Sequence, residues 1–219
     1  MPLRITDGIP LNPQPAPPHP PVHGLILTNA AVQPDAAQNN PLPIAPVPQK
    51  ERLWCWTACM EMVLNSNGNS EPPERQCSII SKIPLLNAAN CCGQEDVFAG
   101  KSLAAKDMQT AWSLFGIQAT PHLKSPVSTG QIGFDDVKTE IQEKRPIEVA
   151  VRWFEGGSHA LIIKGFGQIG GRPSVWINDP LLNKSLLSAR GGEGQILFSE
   201  LKTANNYGKW VGTWTGLKK

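Results

Sequence analysis

The apolar positions of this chain change their period about two-thirds of the way along it. From Cys55 to Leu64, apolar residues at Ala58, Cys59, Met62 and Val63 recur at helical spacing and predict a buried helix, closed by Asn65–Asn69 with Gly68. Pro72-Pro73-Glu74 opens a second short helix running to Ile80. Ser102 reads as the N-cap of a helix reaching Phe115, with Gly116 as its stop signal. Gly133 to Lys144 predicts another, with Phe134, Val137 and Ile141 on one face. Beyond that the texture is that of strands. Ile147–Trp153 alternates and is β-branched, and Ala160–Phe166 is an apolar run bounded by glycine. Ser174–Asn178 follows the turn Gly170-Gly171-Arg172-Pro173, with Gln195–Phe198 and Trp210–Trp214 as further strands. Helices first and antiparallel strands after them predict an α+β domain, not a βαβ fold.

The first 48 residues hold 13 of the 21 prolines. Proline lacks a backbone donor, so 1–46 reads as an extended, polyproline-like tail or linker ahead of a domain at 47–219. Within the tail, Val22–Leu27 is a short apolar stretch able to dock as a strand.

A length of 219 residues with 40% hydrophobic and 17% charged residues suits one soluble domain plus a tail. A net charge of +2, without Lys/Arg blocks, points away from nucleic acid. No apolar run approaches the ~20 residues of a membrane span, and the N-terminus has no apolar core of a signal peptide. The scattered histidines (19, 23, 122 and 159) and the lack of a Cys-x-x-Cys pair give no zinc signature, and no cofactor is expected. Five cysteines is an odd number, so one must stay free or pair with another molecule. The pattern leaves open a disulfide of Cys77 with Cys91 or Cys92, or free thiols.

Chemistry concentrates at three places. Cys55, followed by Trp56, lies where the first helix begins, so its thiol meets the positive end of the helix dipole. His159 follows Gly156-Gly157-Ser158 and enters a strand, a setting that lets an imidazole face a cleft. Asn178 and Asp179 end the adjoining strand, and one of the two can orient the imidazole, because successive strand residues point to opposite faces. Cys59, one turn deeper in the same helix, is expected to be core. Each element has a plainer reading, since buried cysteine is a small hydrophobe and Asp-Pro a turn. Their conjunction, with Gln49 six residues ahead of Cys55, is what singles them out.

The Gln49…Cys55-Trp56 pattern resembles the cysteine box of papain-like cysteine peptidases. With the Cys77 and Cys91-Cys92 pattern, the Lys144-Arg145-Pro146 lead-in and the His159–Phe166 strand, the chain looks like compact bacterial members of that group, the AvrRpt2-like and C39 peptidases. The resemblance covers about residues 47–215. It implies a papain-like fold with the nucleophile on the first helix and a C-terminal antiparallel sheet. It implies Cys55 as nucleophile, His159 as general base and then acid, Asp179 as its orienting group and Gln49 as an oxyanion donor. Trp56, Trp153 and Asn178 would line the cleft. Leu53-Trp54 stands where plant-type papains carry Cys-Gly-Ser/Ala.

The expected activity is hydrolysis of peptide bonds in a protein substrate. Acyl transfer or deamidation on the same triad, and a non-catalytic binding module on the same scaffold, are the alternatives. The tail and missing signal peptide point to a bacterial toxin or effector, made in the cytoplasm and delivered by a secretion system. An immunity protein or secretion carrier would then be a partner.

Overall fold

A computed structural model describes residues 41–66, 72–125, 128–181 and 192–218. The expected strand at Val22–Leu27 lies outside them. The first helix forms as the periodicity requires, α1 (Cys55–Ser66), with nine of its twelve residues buried. Ala58 N–H donates to the Trp54 carbonyl at 3.0 Å, so the helix starts immediately before Cys55. The next helix, α2 (Gln76–Ser81), begins four residues later than Pro72-Pro73 suggest. Asn65 is the cause: its side chain accepts from Glu74 N at 2.9 Å and donates to Glu74 O at 3.0 Å, holding that residue out of the helix.

A short helix α3 (Glu95–Phe98) was not anticipated. The helix expected from Ser102 starts only at Met108, as α4 (Met108–Leu114), after one 3-10 turn at Ala105–Asp107. Ala104 is extended (φ −71°, ψ 146°), so Ser102 caps nothing. Gly116 ends α4 at φ +77°, a conformation that glycine adopts without strain. The helix α5 (Phe134–Gln142) buries Val137 and Ile141, and Asp136 accepts from Gly133 N at 2.8 Å across its first turn.

The strands are β1 (Thr120–Ser125), β2 (Ser128–Thr129), β3 (Ile147–Trp153), β4 (Ser158–Ile169), β5 (Arg172–Asn178), β6 (Glu193–Leu197) and β7 (Gly208–Thr215), with α6 (Phe198–Lys202) before the last. They form one antiparallel sheet in the order β2-β1-β7-β3-β4-β5-β6. Central β3 is buried from Ile147 to Val151, Glu148 included. The α1 helix packs on β4, α5 on β3 and β4, and α6 on β5, β6 and β7. The architecture is α+β with the candidate nucleophile on the first helix, as expected, although the β1–β2 pair comes before α5 and α6 falls between β6 and β7.

Packing reaches back beyond the expected boundary at residue 47. Leu42 and Ile44 are buried, and Leu42 N–H donates to the Lys164 carbonyl at 2.7 Å. Proline content alone reads this stretch as tail, because composition does not register a strap whose few apolar side chains are buried. The strap passes so near Gly165 that an added Cβ there would meet Pro41 Cα at 2.9 Å. Cys77 pairs with Cys92, which ties α2 to the loop before α3, and Cys55, Cys59 and Cys91 are free.

Candidate active site

Cys55 is the first residue of α1, where helical N–H groups have no intrahelical acceptor and the dipole favours negative charge. Cys55 and His159 are each 0% exposed and Asp179 1%. His159 Nε2 lies 2.7 Å from Asp179 Oδ1. The other ring nitrogen, Nδ1, is buried and makes no hydrogen bond of standard geometry. With Nε2 taken by Asp179, it is the nitrogen open to the Cys55 thiol, which acts on the imidazole through both hydrogen bonding and charge.

The register explains which residue holds the histidine. Ile162 pairs with Asn178 across β4 and β5. One residue further, Asp179 falls opposite Leu161, on the face shared by His159. Asn178 faces the other way, and its Nδ2 donates to the Ile44 carbonyl at 2.8 Å. Asn178 therefore anchors the strap and does not line the site, contrary to expectation. Asp179 Oδ1 also accepts from Leu181 N at 2.8 Å, so the carboxylate is held from two directions.

Burial pulls the pKa of His159 down, but the charge and hydrogen bond of Asp179, together with Cys55, outweigh it and push the value up to about 10. The imidazole is thus held as a cation. Cys55 stands at a helix start and beside that cation, the placement of a nucleophile, whereas Cys59 lies one turn further into the helix. Burial, followed by the charges of Glu148, Cys55 and Asp179, raises its pKa well above that of an ordinary thiol.

Trp153 is half-buried and stacks on His159, with centroids 6.1 Å apart and planes inclined by 20°. Trp56 is fully buried in the main core cluster, so its expected place on a cleft surface does not hold. An indole so large buries itself wherever the core offers volume. Gln49 differs from expectation in its hydrogen bonds. The tight turn before α1, closed by Trp54 N–H to Glu51 O at 3.1 Å, brings two carbonyls onto its side chain. Its Nε2 donates to Glu51 O and Arg52 O, at 2.9 Å each, while Oε1 is buried without a partner. The backbone N–H of Gln49 donates to Pro180 O at 3.1 Å, which joins this segment to the residue after Asp179.

Three buried polar residues near the site had not been singled out. Lys164 donates to Ile44 O at 3.0 Å and pairs with Glu193 at 2.7 Å. Glu148 accepts from Trp112 Nε1 at 2.8 Å, and burial pushes its pKa up to about 8. Gln76 is fully buried beside the disulfide. Glu148, a carboxylate inside the β-branched run of β3, was the only such signal in the sequence. Among the described residues no group of three or more His, Cys, Asp or Glu could hold a metal ion, and no helix is long and apolar enough to cross a membrane.

The model of the Peptidase_C39 like family matches residues 41–186. Among solved structures, the chain is similar to a double glycine motif protease from an AMS/PCAT transporter, crystallised in complex with the leader peptide. The identity is 16% over 81% of this chain and 96% of that one, with a TM-score of 0.42. It is also similar to the Pseudomonas avirulence protein AvrPphB, at 15% identity over 80% of this chain and 96% of that one, with a TM-score of 0.38. No curated protein matches the chain.

Proposed function

This chain belongs to the Peptidase_C39 like family, and on that premise we propose that it is a cysteine endopeptidase using Cys55, His159 and Asp179 on a protein substrate. The observation that carries the reading is the buried 2.7 Å contact between His159 and Asp179, with the opposite ring nitrogen left to a cysteine at a helix start.

The Cys55 thiolate attacks the carbonyl carbon of the scissile bond, and the carbonyl oxygen takes the negative charge. The Cys55 backbone N–H and the Gln49 amide meet that charge. For Gln49 this means exchanging a carbonyl acceptor, at Glu51 or Arg52, for the oxyanion, and hydrogen bonds to an ion are roughly twice as strong as neutral ones. The tetrahedral intermediate collapses as His159 gives its proton to the leaving amine, and a thioester remains on Cys55. Neutral His159 then takes a proton from water, whose oxygen attacks the thioester. Collapse of that second intermediate releases the acid and restores the thiolate and imidazolium. Asp179 stays ionised, accepting from Nε2–H throughout.

The test is incubation with a bacterial proteome, followed by mass spectrometric mapping of new N-termini. Cuts made by the wild type should vanish with Cys55→Ala and with His159→Ala. A gain of one mass unit at Gln or Asn, or a cross-link, would reassign the enzyme to deamidation or acyl transfer.

We further propose that the peptidase is a toxin or effector delivered from a bacterial cytoplasm by a secretion system, with an immunity protein or carrier as partner. The proline-rich segment supports this, as a spacer to a delivery machine. Expression of wild type and Cys55→Ala in a recipient compartment tests it, and equal growth would overturn it.

A further inference from the structure

Gln76 is 0% exposed, and its amide is fully engaged by hydrogen bonds to groups other than the thiol and the imidazole. Nε2 donates to Pro48 O at 2.9 Å and to Glu61 Oε2 at 3.0 Å, while Oε1 accepts from Lys50 N at 2.8 Å. A carbonyl and a carboxylate both demand a donor, and a backbone N–H demands an acceptor, so the amide can sit in only one orientation. Three elements meet at this side chain. Glu61 belongs to α1, the helix that begins at Cys55. Gln76 opens α2, next to the Cys77–Cys92 disulfide. Pro48 and Lys50 flank Gln49, whose backbone N–H in turn holds Pro180 beside Asp179.

The amide grips both peptide groups around Gln49, a side chain whose own Oε1 is buried and unpaired. The Gln49 main chain is thereby fixed relative to the helix that carries the nucleophile, and the oxyanion donor depends on that placement. An error of about 1 Å in such a group costs on the order of a hundredfold in rate.

We propose that Gln76 is a positioning residue for the oxyanion site, clamping Pro48–Lys50 to α1 so that the Gln49 amide stands where the tetrahedral intermediate forms. The proposal rests on the reading of Gln49 as an oxyanion donor.

Two small reagents separate positioning from general damage, using the full chain. Iodoacetamide alkylates Cys55 by displacement, with no oxyanion. p-Nitrophenyl acetate acylates it through a tetrahedral intermediate and releases nitrophenolate as a burst. Gln76→Glu removes both donors and sets an acceptor against Pro48 O. It should lower the acylation burst rate about tenfold to a hundredfold while alkylation changes less than about threefold, because only acylation draws on the oxyanion donors. The pair Gln76→Glu with Glu61→Gln relieves the carboxylate clash but still lacks the Pro48 donor. It should show the same selective loss if the single variant does not fold. Equal losses in both reactions, or none in either, would overturn the proposal. Gln49→Ala is the reference. If it leaves acylation unchanged, the oxyanion reading itself fails and the proposal with it. If it lowers acylation and the Gln76 variants do not, the positioning role alone fails.

Discussion

His159 and Asp179 meet through a 2.7 Å contact while both are buried, although neither faces its partner directly in the ladder between β4 and β5. They are diagonal neighbours on one face of the sheet. An acid and a base packed this way, away from water, fix each other's ionisation far more firmly than a surface pair would.

The pH profile should carry that signature. With the pKa of His159 pushed up to about 10, the imidazolium that protonates the leaving amine persists through neutral and mildly alkaline conditions. The alkaline limb of kcat/KM should therefore lie near that value, not near 6.5. Asp179→Asn removes the largest raising influence and leaves burial, which lowers the pKa, so the limb should move to lower pH. A limb that stays in place would contradict the assignment. The same shift acts on stability. The folded pKa exceeds the unfolded one, so the stabilisation is full below about 6.5 and is lost as pH rises through about 10.

Asp179 and Asn178 should behave oppositely on substitution. Asp179→Ala breaks the buried pair by removing one partner, at a cost of about 3–5 kcal/mol, and should suppress activity. Asn178→Ala leaves the Ile44 carbonyl with its bond from Lys164, so the loss should be about 1 kcal/mol with activity largely kept. Urea unfolding paired with turnover separates the two.

Glu148 should make the fold more stable in acid than in weak alkali. Its folded pKa of about 8 lies above the ordinary carboxylate range, so the native state holds a proton that the unfolded chain gives up. Stability should then fall as pH rises from about 4.3 to about 8. Glu148→Gln keeps an acceptor for Trp112 and should flatten this dependence, raising the melting temperature most at the alkaline end. Parallel melting curves for both proteins across that window would refute it.

Thiol reagents should rank the cysteines. Cys55 should be alkylated well ahead of Cys59 in the native protein, since burial and nearby negative charge hold the Cys59 thiol protonated. Peptide mapping by mass spectrometry reads the order.

Opening the disulfide should cost stability without redirecting the fold. Cys77 and Cys92 close a loop of 15 residues, for which chain entropy gives about 3 kcal/mol. Cys77→Ser with Cys92→Ser should lose up to that amount in denaturant titration. Non-reducing peptide mapping of the wild type should find Cys77 linked to Cys92, with Cys91 free.

What the sequence determined by itself is what neighbouring residues decide together. The helical spacing from Ala58 to Val63 placed Cys55 at a helix start, and the β-branched run from Ile147 to Trp153 marked a strand whose bounds match the structure at both ends. Gly116 ended its helix because left-handed backbone suits glycine in any context. Tertiary structure decided whatever depends on residues distant in the chain. The β1–β2 hairpin carries Pro121 and His122 and no alternation, and pairing with β7 is what makes β1 a strand. The order of Asn178 and Asp179 along β5 was visible, but only the pairing of Asn178 with Ile162 says which one shares a face with His159. Likewise Gln76 reads as an ordinary polar residue until α1, α2 and the strap converge on it. Periodicity and turn chemistry act within a few residues, whereas register and burial arise only when the whole sheet closes over its helices, and the fine geometry of this site belongs to the second kind.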